Sequence, residues 1–191
     1  SHLQSFIAPT DEQISSSSVK DVDWYMSLNL QEKDTINLID TKGQAGGGRE
    51  FYGETLNSRR TSLAVPFALN NIREDQSARC VVSMAAYSGE ATKVQISLAG
   101  VTETMTLSPI PVTNYHLKAT TEKTTITTQI HGKDEPTVNL LLKATAGSTA
   151  YLNYIELFVP CELRMHGNEM SIVNTEYFNN YQAIRYHLQN A

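Results

Sequence analysis

The sequence has few cysteines, no long apolar run and no basic cluster, and each absence narrows its function. Only 2 of the 191 residues are cysteine. Cys80 and Cys161 both lie in apolar stretches, so we expect two buried free thiols, with pairing across facing strands as the alternative. The net charge of −5, without any run that interleaves basic and aromatic residues, argues against nucleic acid as a partner.

No stretch reaches the roughly 18 apolar residues of a membrane-spanning helix, so no such segment is predicted. No secretory signal opens the chain. Because the chain starts at Ser1 rather than at a methionine, it is interpreted as an excised or mature piece.

The sequence also lacks the motifs of common catalytic sites. It contains no G-x-S-x-G, the strained turn that exposes a nucleophilic serine. A cysteine nucleophile would have to be Cys80 or Cys161, whose apolar surroundings disfavour the thiolate. The histidines that could serve as its base are His116, His131, His166 and His187. We therefore predict that this chain is not an enzyme.

Metal-binding motifs are missing as well, since neither C-x-x-C nor H-E-x-x-H occurs. Loop carboxylates of a β-sandwich can hold Ca²⁺. The candidates are Asp21, Asp23, Asp34 and Asp40. Solvated acidic loops are the simpler interpretation, so no cofactor is predicted, and a structural Ca²⁺ stays open.

What the chain does have is a series of short, β-rich segments separated by turns. Residues 93–98 alternate apolar and polar side chains, and the threonine-rich residues 115–130 indicate a hairpin or a bent pair of strands. The other predicted strands are residues 22–30, 61–70, 78–87, 101–107, 137–144, 150–159, 170–174 and 183–189. This pattern predicts an all-β fold, an antiparallel β-sandwich or jelly roll of the galactose-binding-like kind.

The length suits a single domain preceded by a short arm. Residues 1–19 are polar and end in a run of serines, so they are predicted to be a flexible N-terminal arm or linker. Residues 20–191 then form the β-sandwich domain. The glycine-rich residues 43–48 are predicted to be a loop, because no Lys-Ser/Thr pair follows to complete a phosphate site.

The strand predicted at residues 150–163 carries bulky side chains on both faces. By simple alternation one face holds Tyr151, Asn153, Ile155, Leu157 and Val159, and the other holds Ala150, Leu152, Tyr154, Glu156 and Phe158. Two interpretations remain open. Either another domain covers the second face, or loops of this chain do.

Two segments of the chain resemble a known family. Glu32-Lys-Asp34 is followed by Gly48-Arg-Glu-Phe-Tyr-Gly-Glu54, and Ala150-Tyr-Leu-Asn-Tyr-Ile-Glu156 comes about a hundred residues later, with Leu163 shortly after it. In this order they resemble the region upstream of the catalytic domain in the type IX secretion system sortase, a gingipain-like cysteine peptidase of Bacteroidetes. Two departures stand out. Asn153 replaces the usual Asp, and Val159-Pro-Cys161 stands where basic residues are common, which weakens any role of this position in binding a cation or an acidic partner.

The resemblance implies which kind of parent protein this chain belongs to, but it implies no catalytic role for the chain itself. It implies a parent exported through the periplasm to the cell surface or outer membrane, whose later domain cuts C-terminal secretion signals and transfers the cargo to a surface glycolipid. The family's catalytic Cys and His lie in that later domain, and no residue here matches them. The chain would then be a non-catalytic β-rich domain.

Two functions are carried forward from the sequence. In the first, Tyr154, Glu156 and Phe158 form a docking face for the neighbouring peptidase domain or an outer-membrane secretion partner. In the second, the chain is a glycan-binding or adhesion module, in which exposed aromatics stack on sugar beside polar groups. The residues of that alternative are Trp24, Phe51, Tyr52 and Tyr115, with Arg49 and Glu50 nearby. Burial of these aromatics would favour docking.

Overall fold

The structure is a computed structural model that describes residues 19–38, 51–111, 119–132, 135–143, 147–165, 172 and 183–189. The described residues contain eleven strands and no helix. The strands are β1 (Val19–Val22), β2 (Trp24–Glu32), β3 (Thr55–Leu56), β4 (Ser62–Pro66), β5 (Ser77–Tyr87), β6 (Thr92–Leu98), β7 (Val101–Leu107), β8 (Thr120–Gln129), β9 (Thr137–Lys143), β10 (Thr149–Glu162) and β11 (Ala183–Tyr186). No helix in this part of the chain is long and apolar enough to cross a membrane.

Two antiparallel sheets pack face to face. The larger sheet has the order β2-β10-β5-β8, with β3 on the same side of β10 as β2, and the smaller sheet has the order β4-β9-β6-β7. From β3 to β10 the chain crosses between the two sheets at every step except from β6 to β7, which pair as a hairpin. The predicted antiparallel β-sandwich is therefore confirmed. A separate parallel pair, β1 with β11, lies outside both sheets.

Alternating apolar residues from both sheets form the core. In β6, Val94, Ile96 and Leu98 are buried, as their spacing predicts. They meet the inner residues of the larger sheet, such as Met84 and Leu157, in one apolar cluster. Each fully buried side chain of this size stabilises the fold by about 1.5–3 kcal/mol.

The threonine-rich segment differs from its prediction. Residues 120–129 form one strand, β8, which pairs with β5 from Ser77↔Gln129 to Ala86↔Thr120. The hairpin predicted there is wrong over these residues, because a single long partner strand satisfies the backbone without a turn. Several other predictions lie outside the described residues, namely the arm up to residue 18, the loop at 43–48 and nearly all of the strand at 170–174.

A β-bulge in β10 corrects the predicted faces of this strand. Leu152 pairs with Met84 and Tyr154 pairs with Ser83, so Asn153 is an extra residue with no partner on β5. The inner set is Ala150 and Leu152 before the bulge, and Ile155, Leu157 and Val159 after it. Simple alternation fails because one inserted residue exchanges the two faces. Tyr151, Tyr154, Glu156 and Phe158 consequently share the outer face, and each is half-buried.

Candidate functional site

The edge strand β2 directs Leu28 and Leu30 away from the core, whereas Tyr25 near its start packs in the core. Ser27 and Asn29 lie opposite the inward-facing Val159 and Leu157. The Asn29 amide donates to the Leu157 carbonyl at 3.4 Å and to the Ser27 hydroxyl at 3.1 Å, which fixes these polar groups on the inner side. Leu28 and Leu30 therefore point outward, and 54% and 56% of their surfaces are exposed. A strand of an ordinary sandwich shows the opposite arrangement.

Cross-strand pairing gathers these leucines and three further residues into one patch. Leu28 pairs with Phe158, which pairs with Arg79 on β5. In the next row Leu30 pairs with Glu156, which pairs with Val81. We define the outer patch as Leu28, Leu30, Val81, Tyr154 and Phe158. Glu156 lies within this group, between Leu30 and Val81. A group of apolar side chains on an exposed sheet face is typical of an interaction surface.

Charges are distributed unevenly around the outer patch. The Arg79 guanidinium lies 4.2 Å from the centre of the Phe158 ring, and the Lys123 ammonium lies 5.2 Å from the Tyr154 ring. These cation–π contacts, each worth about 0.5–1 kcal/mol at exposed positions, place the cations on the β5 and β8 side. Glu32 and Glu156 lie on the β2 and β10 side. The β2 edge of this face is therefore acidic, whereas the β5 and β8 side carries Arg79 and Lys123 together with the acid Glu122.

A shallow groove of about 470 Å³ lies beside the outer patch at the β10 bulge. Ser83, Lys123, Asn153 and Tyr154 contribute to its lining. Asn153 reaches this groove because the bulge leaves it without a partner on β5. Of the predicted docking residues, Tyr154, Glu156 and Phe158 thus lie together on one face, next to the groove.

The aromatic residues predicted for glycan contact do not form a shared platform in the described part of the chain. Tyr52 is 4% exposed, its N–H donates to the Ile36 carbonyl at 2.8 Å, and its ring centre lies 6.2 Å from that of Tyr151. Trp24 is 9% exposed, whereas Phe51 is 40% exposed. The remaining predicted members, Arg49, Glu50 and Tyr115, lie outside the described residues. Tyr52 and Trp24 therefore offer no ring face to a sugar.

The described cysteines are unsuited to nucleophilic chemistry. Cys80 and Cys161 form no disulfide and are buried in the core. Burial raises the pKa of the Cys80 thiol to about 11, so the thiolate is scarce near neutral pH. The two described histidines contact carboxylates instead, His131 with Glu74 and His187 with Asp21. His116 and His166 lie outside the described residues.

Two of the aspartates considered as Ca²⁺ ligands, Asp21 and Asp23, contact cationic side chains or a histidine instead. Asp21 contacts His187 at 2.8 Å and Arg185 at 3.4 Å, while Asp23 accepts from Arg73 at 2.8 Å. Asp34 is exposed, and Asp40 lies outside the described residues. Within the ranges that the structure describes, no three His, Cys, Asp or Glu residues cluster as metal ligands would.

Four residues of this face, namely Leu28, Leu30, Arg79 and Val81, are not among the binding residues predicted from the sequence. The alternation in residues 26–31 was available as a signal, since Met26, Leu28 and Leu30 interleave with Ser27, Asn29 and Gln31. Alternation alone predicts that the apolar side faces the core. Only the register with β10 reveals that it faces outward.

The fold and this face define a β-sandwich module with an apolar outer patch. The chain is similar to a part of dimeric latent PorU from Porphyromonas gingivalis, with a TM-score of 0.71 and 22% sequence identity over 85% of this chain. It spans only 15% of the length of that protein. This similarity shows that the fold is shared.

Carbohydrate-binding modules of family CBM36 are less similar. One, solved with calcium and xylotriose, has a TM-score of 0.42 and 18% identity, covering 69% of this chain and 98% of the module. Another, from a xylanase of the Trinervitermes trinervoides hindgut metagenome, has a TM-score of 0.42 and 14% identity, covering 76% of this chain and 99% of the module. No family model and no curated protein sequence matches the chain.

Proposed function

We propose that this chain is a non-catalytic docking domain of a surface-exported, gingipain-like cysteine peptidase, the secretion-signal-cleaving sortase that its motifs resemble. The outer patch docks on the neighbouring peptidase domain of the parent or on an outer-membrane secretion partner. In this proposal the parent acts at the cell surface, and the chain supplies binding rather than chemistry.

The observation that carries the docking proposal is the reversed polarity of residues 27–30 in β2. Leu28 and Leu30 are more than half exposed, while Ser27 and Asn29 occupy the inner side. Burying both leucines against a partner would remove apolar surface from water at about 25 cal/mol per Å². The aromatic and arginine side chains beside them, Phe158 and Arg79, belong to the residue types that are enriched at protein interfaces.

The family context has two supports of different kinds. The motifs around Glu32, Gly48 and Ala150 resemble the sortase region, and part of PorU has the same fold. The glycan-binding alternative has less support, because Trp24 and Tyr52 are buried.

The first test is the full reading frame that contains this chain, together with a binding measurement. We expect a signal peptide upstream and a gingipain-like domain with its Cys and His downstream. The purified peptidase domain should bind this chain, and Leu30→Ser or Phe158→Ala should weaken binding at least about 10-fold.

The matched control is Leu141→Ser on the outer face of the smaller sheet, where 38% of the leucine is exposed. This variant should bind like the wild type. A reading frame without a peptidase domain would remove the family context. Equal binding by all three variants would show that the outer patch is not the docking face.

A further inference from the structure

The free edge of β2 is a second binding feature, next to the outer patch and distinct from it. Within the described residues, β2 pairs only with β10. The larger sheet ends at β2 on this side, so the outer edge of β2 has no partner strand in the part of the chain that the structure describes. An unpaired edge presents backbone N–H and C=O groups that another extended chain can bind.

The backbone groups that point to this edge can be identified. The Leu163 N–H donates to the Asp23 carbonyl at 2.8 Å, on the β2 side of β10. The Pro160 carbonyl accepts from the Arg73 N–H at 2.8 Å, on the opposite side. Because antiparallel residues alternate in direction, odd-numbered residues of β2 bond to β10. Met26, Leu28 and Leu30 therefore direct their N–H and C=O groups to the open edge.

The β2 edge lacks the features that usually prevent strand addition. It is 9 residues long and contains no proline, glycine or lysine, and Glu32 at its end is its only charge. One edge strand of the smaller sheet, β4, is 5 residues long and ends in Pro66. Long, uncharged edges are the ones that pair with other chains. The open β2 edge therefore fits strand addition better than the β4 edge does.

The chemistry on each side of the edge specifies the incoming strand. Leu28 and Leu30 lie on the outer side, and Ser27 and Asn29 lie on the inner side. The acids Glu32, Glu156 and Glu162 lie on the outer face close to the edge. Glu162 forms an ion pair with Arg164 at 3.7 Å, and within the described residues no ion pair involves Glu32 or Glu156. A second copy of this chain would bring the same acids and a further net charge of −5. A partner strand with lysine or arginine is complementary instead.

We propose that the β2 edge binds an extended segment of a partner protein, apolar on one side, polar on the other and carrying lysine or arginine. The segment adds to the larger sheet as a new strand through Met26, Leu28 and Leu30. This inference rests on the proposed docking function and names the chemistry of the partner's contacting segment.

The test uses this full chain and a nine-residue probe peptide of alternating valine and threonine with a lysine at each end. Hydrogen exchange is followed residue by residue. In the free chain, the amides of Met26, Leu28 and Leu30 should exchange fast while those of Ser27 and Asn29 are protected. Saturating peptide should slow the first group, and a peptide with glutamates at its ends should bind more weakly.

A pair of variants separates backbone pairing from side-chain contact. Leu28→Pro removes an outward N–H without removing a hydrogen bond to β10, and edge positions tolerate proline. It should weaken peptide binding about 10-fold. Leu28→Thr keeps the N–H and should weaken it less. If Leu28→Pro fails to fold, the exchange pattern of the wild-type chain with peptide decides alone.

Three other results are possible, and each of them would overturn the proposal. Slow exchange at Met26, Leu28 and Leu30 in the free, dilute chain would mean that a segment of this chain covers the edge. Protection that grows with protein concentration would indicate a second copy. Absence of peptide binding, or binding unchanged by Leu28→Pro, would exclude strand addition. If strand addition is excluded but binding of the peptidase domain still depends on Leu30 and Phe158, the proposed docking function stands without strand addition.

Discussion

At the residue scale, exposure separates side chains that hold the fold from those that are available to a partner. Leu157 is fully buried in the core, whereas 56% of Leu30 is exposed on the outer patch. We expect Leu157→Ala to lower the free energy of unfolding by about 2–5 kcal/mol. Leu30→Ala should change it by less than about 0.5 kcal/mol. Urea unfolding of the two variants measures both changes in the free energy of unfolding. Equal losses would mean that Leu30 stabilises the fold as much as Leu157 does.

The buried thiol of Cys80 gives a second prediction at this scale. Burial raises its pKa to about 11, and Cys161 is also buried. At pH 8 the native protein should therefore react negligibly with a thiol reagent such as DTNB. Unfolding in guanidinium chloride should release 2 reactive thiols per chain. Rapid reaction of one equivalent in the native state would show that one cysteine is accessible.

At the element scale, the bulge in β10 can be tested by deletion. Without Asn153, Leu152 and Ile155 keep their inward positions in a regular strand, so we expect a folded protein with reduced stability. Deleting Glu156 instead would exchange the faces of all following residues and place Leu157 and Val159 outside. Each misplaced side chain costs about 1.5–3 kcal/mol, which a domain of ordinary stability does not survive.

Circular dichroism and urea unfolding of the two deletion variants compare them directly. The Glu156 deletion serves as the matched control, since it removes one residue from the same strand. Equal loss of structure in both variants would contradict the assignment of Asn153 as the extra residue.

The parallel pair of β1 and β11 should respond to acid. His187 donates a hydrogen bond to Asp21, and Arg185 is close, so the pKa of Asp21 lies below its ordinary value of 3.8. A carboxyl with a lowered pKa stabilises the folded state fully above its ordinary value, and the contribution is lost as pH falls through the lowered value. The β1–β11 pair should therefore open more often only in strong acid.

Amide exchange of His187, whose N–H donates to the Val22 carbonyl at 2.9 Å, reports this opening once corrected for intrinsic rates. In the Asp21→Asn variant, the corrected exchange rate of the His187 amide should no longer depend on acid. Asp75→Asn, which removes a different carboxylate with a lowered pKa, should leave it unchanged. An identical acid response in the wild type and Asp21→Asn would contradict the role of this carboxylate.

Elements whose pattern lies within one stretch of sequence were predicted correctly, whereas features that depend on the pairing of two strands were not. The alternation of β6 identified its inner residues correctly, because Val94, Ile96 and Leu98 follow one uninterrupted period. The faces of β10 were wrong because a bulge is a relation between two strands, and Asn153 alone does not signal it. β2 shows the same limit. Its alternation is visible in the sequence, but its orientation depends on pairing with β10.

At the scale of the whole molecule, the two outer faces differ in what they expose. The larger sheet presents the outer patch with Leu28 and Leu30, whereas the smaller sheet presents Leu141 among residues such as Gln95 and Thr104. One face is therefore suited to burial against a partner, and the other is suited to water. This asymmetry is the reason to place docking on the larger sheet.

The asymmetry predicts how the isolated chain behaves in solution. With its outer patch uncovered, the chain should bind the apolar dye ANS and associate weakly at high concentration. The double variant Leu28→Thr and Leu30→Thr should reduce both effects and shift Tm by no more than about 4 °C, because both leucines are more than half exposed. Leu141→Thr is the control on the smaller sheet and should leave dye binding and light scattering unchanged. If Leu141→Thr reduces them as strongly as the double variant does, the outer patch has no special role in association, and the docking face must be sought elsewhere.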